Sequence, residues 1–149
     1  LAPQNYHRIH SMVGGEVSEF SYITGDLWTV GPLGVYHVPN LFARNERLTT
    51  YFQTAKGECA LVKVGATVVG RIRVSYHDQI SNLHSAKAKQ IVLETPFELE
   101  RGEEVGLFEL GSTVICLFPL GQIELNELQL GQSVNFGQAI GRFSQNSKE

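Results

Sequence analysis

The stretch "LTTYFQTAKGECALVKVGATVVGRIRVSY", residues 48–76, decides how this chain folds. It holds three short runs, LTTYFQT (48–54), CALVKV (59–64) and TVVGRIRVSY (67–76), dense in Val, Ile, Thr and aromatic residues and punctuated by glycine. β-branched and aromatic side chains suit a pleated, half-buried surface, and glycine between such runs supplies the turns. Outward from here the same texture returns in KQIVLET (89–95) and STVICLF (112–118). No window of helical length carries a 3.6-residue apolar stripe. VPNLFARNERL (38–48) has room for one helical turn at most, since Pro39 and Asn40 favour a loop. The expected fold is all-β, a single compact, barrel-like domain over residues 1–149 with little helix.

A weak internal repeat supports that expectation. VKVGATVVGRI (62–72), LERGEEVGLFELGSTV (99–114) and LQLGQSVNFGQAIGRF (128–143) each join a turn glycine to a second glycine and an apolar strand. Glycine tolerates the positive φ of tight corners, so the unit reads as a repeated hairpin. Biotin and lipoyl carrier domains use similar corners but need a lysine at a hairpin tip. Lys63 instead lies within a strand-like run, and Lys56 precedes Gly57 without the usual flanks.

Composition narrows the function classes. With 42% hydrophobic and 18% charged residues and a net charge of −3, the chain is neither a disordered tail nor a basic nucleic-acid binder. The same charge gives the chain as a whole no attraction to anionic lipid. No apolar run reaches the roughly 18–20 residues of a spanning helix, and no signal-peptide pattern opens the chain. Its start, LAPQNYHRIH, lacks methionine and reads as part of a longer or processed protein. Cys59 and Cys116 form no CxxC pair and sit in apolar runs, so both are read as buried free thiols in a reducing compartment. His37, His77 and His84 are scattered without ligand spacing, and no metal is expected.

Three local features could carry chemistry. Gly111-Ser112-Thr113 lacks the GxSxG frame of a hydrolase elbow; alone, it reads as a turn glycine before a strand-opening Ser-Thr pair, or as a reactive hydroxyl. His7 and His10, in NYHRIHSM (5–12), suit proton transfer if a turn brings them together, and otherwise are surface histidines. Arg44 and Arg47 follow an apolar tip containing Leu41 and Phe42. Two guanidinium groups there could grip a phosphate or carboxylate while Phe42 meets lipid, or could simply pair with Glu46 in a solvated loop.

YHRIH (6–10), GDLWTV (25–30), VPNLFARNER (38–47), VGATVVGRI (64–72) and GEEVGLFELGSTVICLF (102–118) occur in this order along the chain. Together they closely resemble phosphatidylserine decarboxylases, pyruvoyl-dependent lyases, in the bacterial and mitochondrial type with its Leu-Gly-Ser-Thr cleavage motif. The resemblance implies that Ser112 attacks the Gly111 carbonyl in an N-to-O acyl shift. Elimination then frees Gly111 as a new C-terminus, and hydrolysis with loss of ammonia leaves residue 112 as an N-terminal pyruvoyl group. A β-chain part (1–111) and an α chain (112–149) would result. The pyruvoyl carbonyl would take up the amine of phosphatidylserine, accept electrons as carbon dioxide leaves, and yield phosphatidylethanolamine.

By the same resemblance His10 serves self-processing together with Ser112 and an aspartate upstream of this chain, and His7 acts on the substrate. Arg44, Arg47 and Phe42 are the residues suggested for head-group and lipid contact. Implied partners are phosphatidylserine, the two chains of one proenzyme, and a membrane surface bound peripherally, mainly through upstream segments. That surface would be the cytoplasmic side of the bacterial inner membrane, or the mitochondrial inner membrane. No nucleic acid is implied, and a homodimer is left open. The isolated piece is expected to have weak or no activity. The rival expectation is an uncleaved, non-catalytic domain of the same shape that binds lipid or protein.

Overall fold

A computed structural model describes residues 1–2, 4–67, 71–82 and 87–145; His84 and the middle of the 67–76 run lie outside the described residues. In chain order the elements are β1 (Arg8–His10), β2 (Gly15–Ile23), α1 (Pro32–His37), α2 (Leu41–Arg44), β3 (Arg47–Thr54), β4 (Gly57–Val64), β5 (Ile72–Val74), β6 (His77–Ile80), β7 (Lys89–Leu99), β8 (Glu104–Phe108), β9 (Thr113–Leu117), β10 (Ile123–Leu125) and β11 (Gly141–Phe143). The expected strands at 48–54, 59–64, 89–95 and 112–118 appear as β3, β4, β7 and β9. The expected single turn of helix is α2, entered through Asn40 in the left-handed region at φ 55.

The mainly β class is thus what the chain adopts, without closure into a barrel. A five-stranded antiparallel sheet has the order β7-β2-β3-β4-β9, a four-stranded one has β1-β8-β5-β6, and β10 pairs with β11 alone. β7 and β9 remain as free edges of the large sheet, which is why it stays open.

One apolar cluster draws from both larger sheets: Phe20, Leu48, Phe52 and Leu61 from the first, and Ile9, Ile72, Val105 and Phe108 from the second. Burial of such side chains is worth about 1.5–3 kcal/mol each and fixes the sheets face to face. Of the repeated glycine corners, Gly102 (φ +91) turns β7 into β8, while Gly131 (φ +79) and Gly137 (φ +81) lie in exposed turns near the C-terminus. Gly65, in the first copy, is used differently: a Cβ there would lie 3.2 Å from the Glu46 carbonyl oxygen, so glycine permits a close strand approach.

The cysteines behave differently from expectation. Cys59 is buried, but Cys116 is exposed, because β9 is the outer strand of its sheet and its end is uncovered. Both are free thiols.

Candidate active site

Ser112 lies one residue before β9 and is fully buried. Its hydroxyl donates to the Val64 carbonyl at the end of β4, at 2.5 Å. Its own carbonyl accepts from the Leu1 nitrogen at 2.6 Å. At Gly111 a Cβ would come within 2.2 Å of the Leu1 carbonyl oxygen, so the backbone of residues 1–2 passes directly over the 111–112 peptide. Only glycine fits this crossing.

His7 borders the same crossing. Its Nε2 lies 3.1 Å from the Ala2 carbonyl, and because a carbonyl only accepts, Nε2 carries the proton of that bond. Its main-chain carbonyl receives the Phe108 N–H at 3.0 Å, which ties the start of β1 to the β8 end nearer Ser112.

His10 is held elsewhere. The ladder pairs it with Glu104, so it sits roughly 13 Å further along β8 than the Phe108 contact, at about 3.3 Å per strand residue. Its Nδ1 donates to the Gly102 carbonyl at 2.7 Å, and its Nε2 lies 2.7 Å from the Tyr6 hydroxyl. The ring stacks on Tyr6 and tilts against Phe136 at 4.2 Å. Among the described residues no hydrogen bond joins either histidine to Ser112.

The arginine loop is more occupied than its sequence implies. Arg44 pairs with Asp26 at 2.9 Å and lies over the Trp28 ring at 5.7 Å. Those contacts, with the Trp28 Nε1 donation first, hold the exposed Asp26 carboxyl below its ordinary range. Arg47 donates to the carbonyls of Ala43 (2.6 Å) and Asn45 (3.1 Å). Phe42 lines a shallow, mainly apolar hollow of about 350 Å³ with Val35, Val38, Leu41 and Ala43. The structure does not bring these three residues into hydrogen bond or ring contact with Ser112.

Glu46 pairs with neither arginine. It is buried, and its carboxylate accepts from the Tyr22 hydroxyl and from the Asn82 N–H at 2.7 Å. Burial first, and Glu46 second, raise the Tyr22 hydroxyl above its usual range. Asn45 is fully buried beside it: Nδ2 donates to the carbonyls of Trp28 (2.8 Å) and Gly65 (2.9 Å), and Oδ1 accepts the Trp28 N–H at 3.0 Å.

A second buried ionisable group shares the sheet face of Ser112. Lys63 opposes Val114 across β4 and β9, and residues two apart point to one side. Lys63 is fully buried and has no ion pair among the described residues; its Nζ donates to Thr50 Oγ1, which meets the Tyr76 hydroxyl at 2.5 Å. Desolvation alone pulls its pKa down to about 7. Sequence reading missed Asn45, Glu46 and Val64 because their partners lie far along the chain; the only local signal was a charged pair, Glu46-Arg47, opening an apolar strand.

With this geometry in place, comparison with known proteins assigns the class: the chain matches the family described as Phosphatidylserine decarboxylase over residues 1–142, and it belongs to that family. It is 47% identical over 144 residues to the phosphatidylserine decarboxylase proenzyme of Anaeromyxobacter sp., covering 95% of this chain and 51% of that protein. The proenzymes of Myxococcus xanthus (42% over 142 residues, 95% of this chain, 50% of that protein) and Brevibacillus brevis (43% over 143, 94% and 51%) are similar. The chain therefore spans about half the length of the curated relatives it matches. No helix among the described residues is long and apolar enough to cross a membrane.

Proposed function

We propose that this chain is the part of a phosphatidylserine decarboxylase proenzyme that cuts itself between Gly111 and Ser112, and that the whole protein converts phosphatidylserine to phosphatidylethanolamine and carbon dioxide. The observation that carries this reading is the buried Ser112 hydroxyl, held at 2.5 Å by Val64 next to a side-chain-free Gly111. The oxygen attacks the Gly111 carbonyl, and the 111–112 C–N bond breaks as the proton passes to the departing nitrogen. Elimination of the Cα proton with cleavage of the Cβ–Oγ bond then releases Gly111 as a carboxylate. A thiol could make this attack as well; an alanine could not.

A pyruvoyl group made from residue 112 fits here, since the strand that follows is anchored along β4 and keeps the new terminus in place. Once formed, it supplies an electrophilic carbonyl that acts as electron sink for loss of carbon dioxide. His7 is the histidine whose placement supports a role at residue 112, because Ala2 bridges it to the crossing. The assignment of self-processing to His10 draws on the family pattern alone; its contacts here go to Tyr6 and Gly102. Arg44, Arg47 and Phe42 remain the proposed contacts to the anionic head group and acyl region, at a peripheral membrane surface.

Intact-mass analysis of the full-length protein tests the reading. We expect two chains, the shorter beginning with a pyruvoyl group at residue 112. One uncut chain of full mass would leave an inert binding domain in its place.

A further inference from the structure

We propose that Asn45 and Glu46 are positioning residues for Ser112, acting through the single peptide unit that joins Val64 to Gly65. This inference rests on self-cleavage at Ser112. The oxygen of that peptide, on Val64, accepts the Ser112 hydroxyl at 2.5 Å. Its N–H, on Gly65, donates to the Glu46 carbonyl at 2.7 Å. A peptide whose N–H is engaged becomes a stronger acceptor at its oxygen, so the two bonds reinforce one another. Asn45 fixes the far side of Gly65 by donating to its carbonyl at 2.9 Å.

Glu46 is held in turn. Tyr22 and the Asn82 N–H both end on its carboxylate, and the group has no cationic partner among the described ion pairs. A buried carboxylate without a cation is costly to keep, which marks the position as serving more than packing. Its value is geometric. With Gly65 clamped from both sides, the Val64 oxygen cannot swing, and the hydroxyl it receives is fixed beside the Gly111 carbonyl. A Cβ at residue 65 would meet the Glu46 carbonyl oxygen at 3.2 Å and its Oε2 at 3.3 Å, so any side chain there would press on the clamp.

The test uses the full-length proenzyme and follows appearance of the short chain on denaturing gels. Asn45→Asp, which removes the donor to Gly65, is expected to slow cleavage by about tenfold or more. Gly65→Ala is read in the same way should Asn45→Asp not fold. Glu46→Ala slows cleavage similarly, and Glu46→Gln, which still accepts from Tyr22 and Asn82, recovers most of the lost rate. Phe52→Leu, a core change far along β3, serves as the control matched for lost stability. Cleavage at the parental rate in folded Asn45→Asp or Gly65→Ala overturns the proposal. Equal slowing by the Phe52→Leu control overturns it too, since general destabilisation then explains the effect. An uncut parent instead refutes the self-cleavage reading on which the inference stands.

Discussion

The backbone of Leu1 crosses Gly111 so closely that a methyl group on residue 111 would lie 2.2 Å from the Leu1 carbonyl oxygen. The contact is between main-chain atoms, so no side-chain rotation can relieve it. Gly111→Ala is expected to displace the crossing segment and slow appearance of the short chain by about tenfold or more, the equivalent of about 1.4 kcal/mol at the barrier. Denaturing gels sampled over time give the rate; parental kinetics would show that the crossing yields easily.

Removing the hydroxyl has a thermodynamic consequence as well as a chemical one. Ser112→Ala removes one hydrogen bond to the buried Val64 carbonyl, at a cost of about 0.5–1.5 kcal/mol. Urea unfolding of that uncut variant, set against an uncut Ser112→Cys preparation quenched before processing, should show the alanine form unfolding at lower denaturant.

Lys63 makes stability depend on pH in a defined direction. Its folded pKa of about 7 lies below the ordinary 10.5, so between these values the unfolded chain binds a proton that the folded chain does not. Stability therefore rises from pH 7 toward 10.5 and is lowest below 7. The window from pH 7 to about 8 is the clean one, since both thiols are raised by burial and begin to lower stability only as the unfolded thiols ionise near pH 9, with the buried Tyr22 and Tyr76 acting higher still. Unfolding midpoints should climb across that window, and Lys63→Met should abolish the climb and be more stable at pH 7. A midpoint that is flat in the parent would mean that the amine reaches water.

The two thiols should separate kinetically. Burial raises both thiols, but Cys116 is exposed on an edge strand whereas Cys59 is buried, so access separates them. A chromogenic disulfide reagent should modify one thiol per folded chain promptly and the second only with unfolding. Mass mapping that found Cys59 labelled first would contradict the strand order.

These expectations mark how far the residues alone carry the reading. β3, β4 and β9 were legible because their β-branched runs are continuous and end near glycine or proline. β7 was legible only over 89–95, since it continues through Pro96 to Leu99 on an edge where a missing N–H is tolerated. β2 was not, since irregularities between Glu16 and Phe20 break the alternation of its buried Val17, Phe20 and Tyr22. Edge position is invisible in a single strand, which is why Cys116 read as buried. At the site, Gly111 and Ser112 stood out through the company of distant motifs. The clamp did not, because Glu46 is assembled from Tyr22 and Asn82, one on either side of it in sequence and both remote.

The ladder between β4 and β9 runs from Val64 opposite Thr113 to Ala60 opposite Leu117, beginning just past the bond proposed to break. Scission there would free an end without freeing a strand. The shorter polypeptide would stay zipped along its neighbour, its new terminus pinned where the hydroxyl had been. The quaternary structure of the mature protein would then be inherited from tertiary contacts formed while it was still one molecule. Two chains that never met in solution would have no association constant to satisfy at the moment of maturation, and refolding from separated pieces would be the harder route to the same assembly.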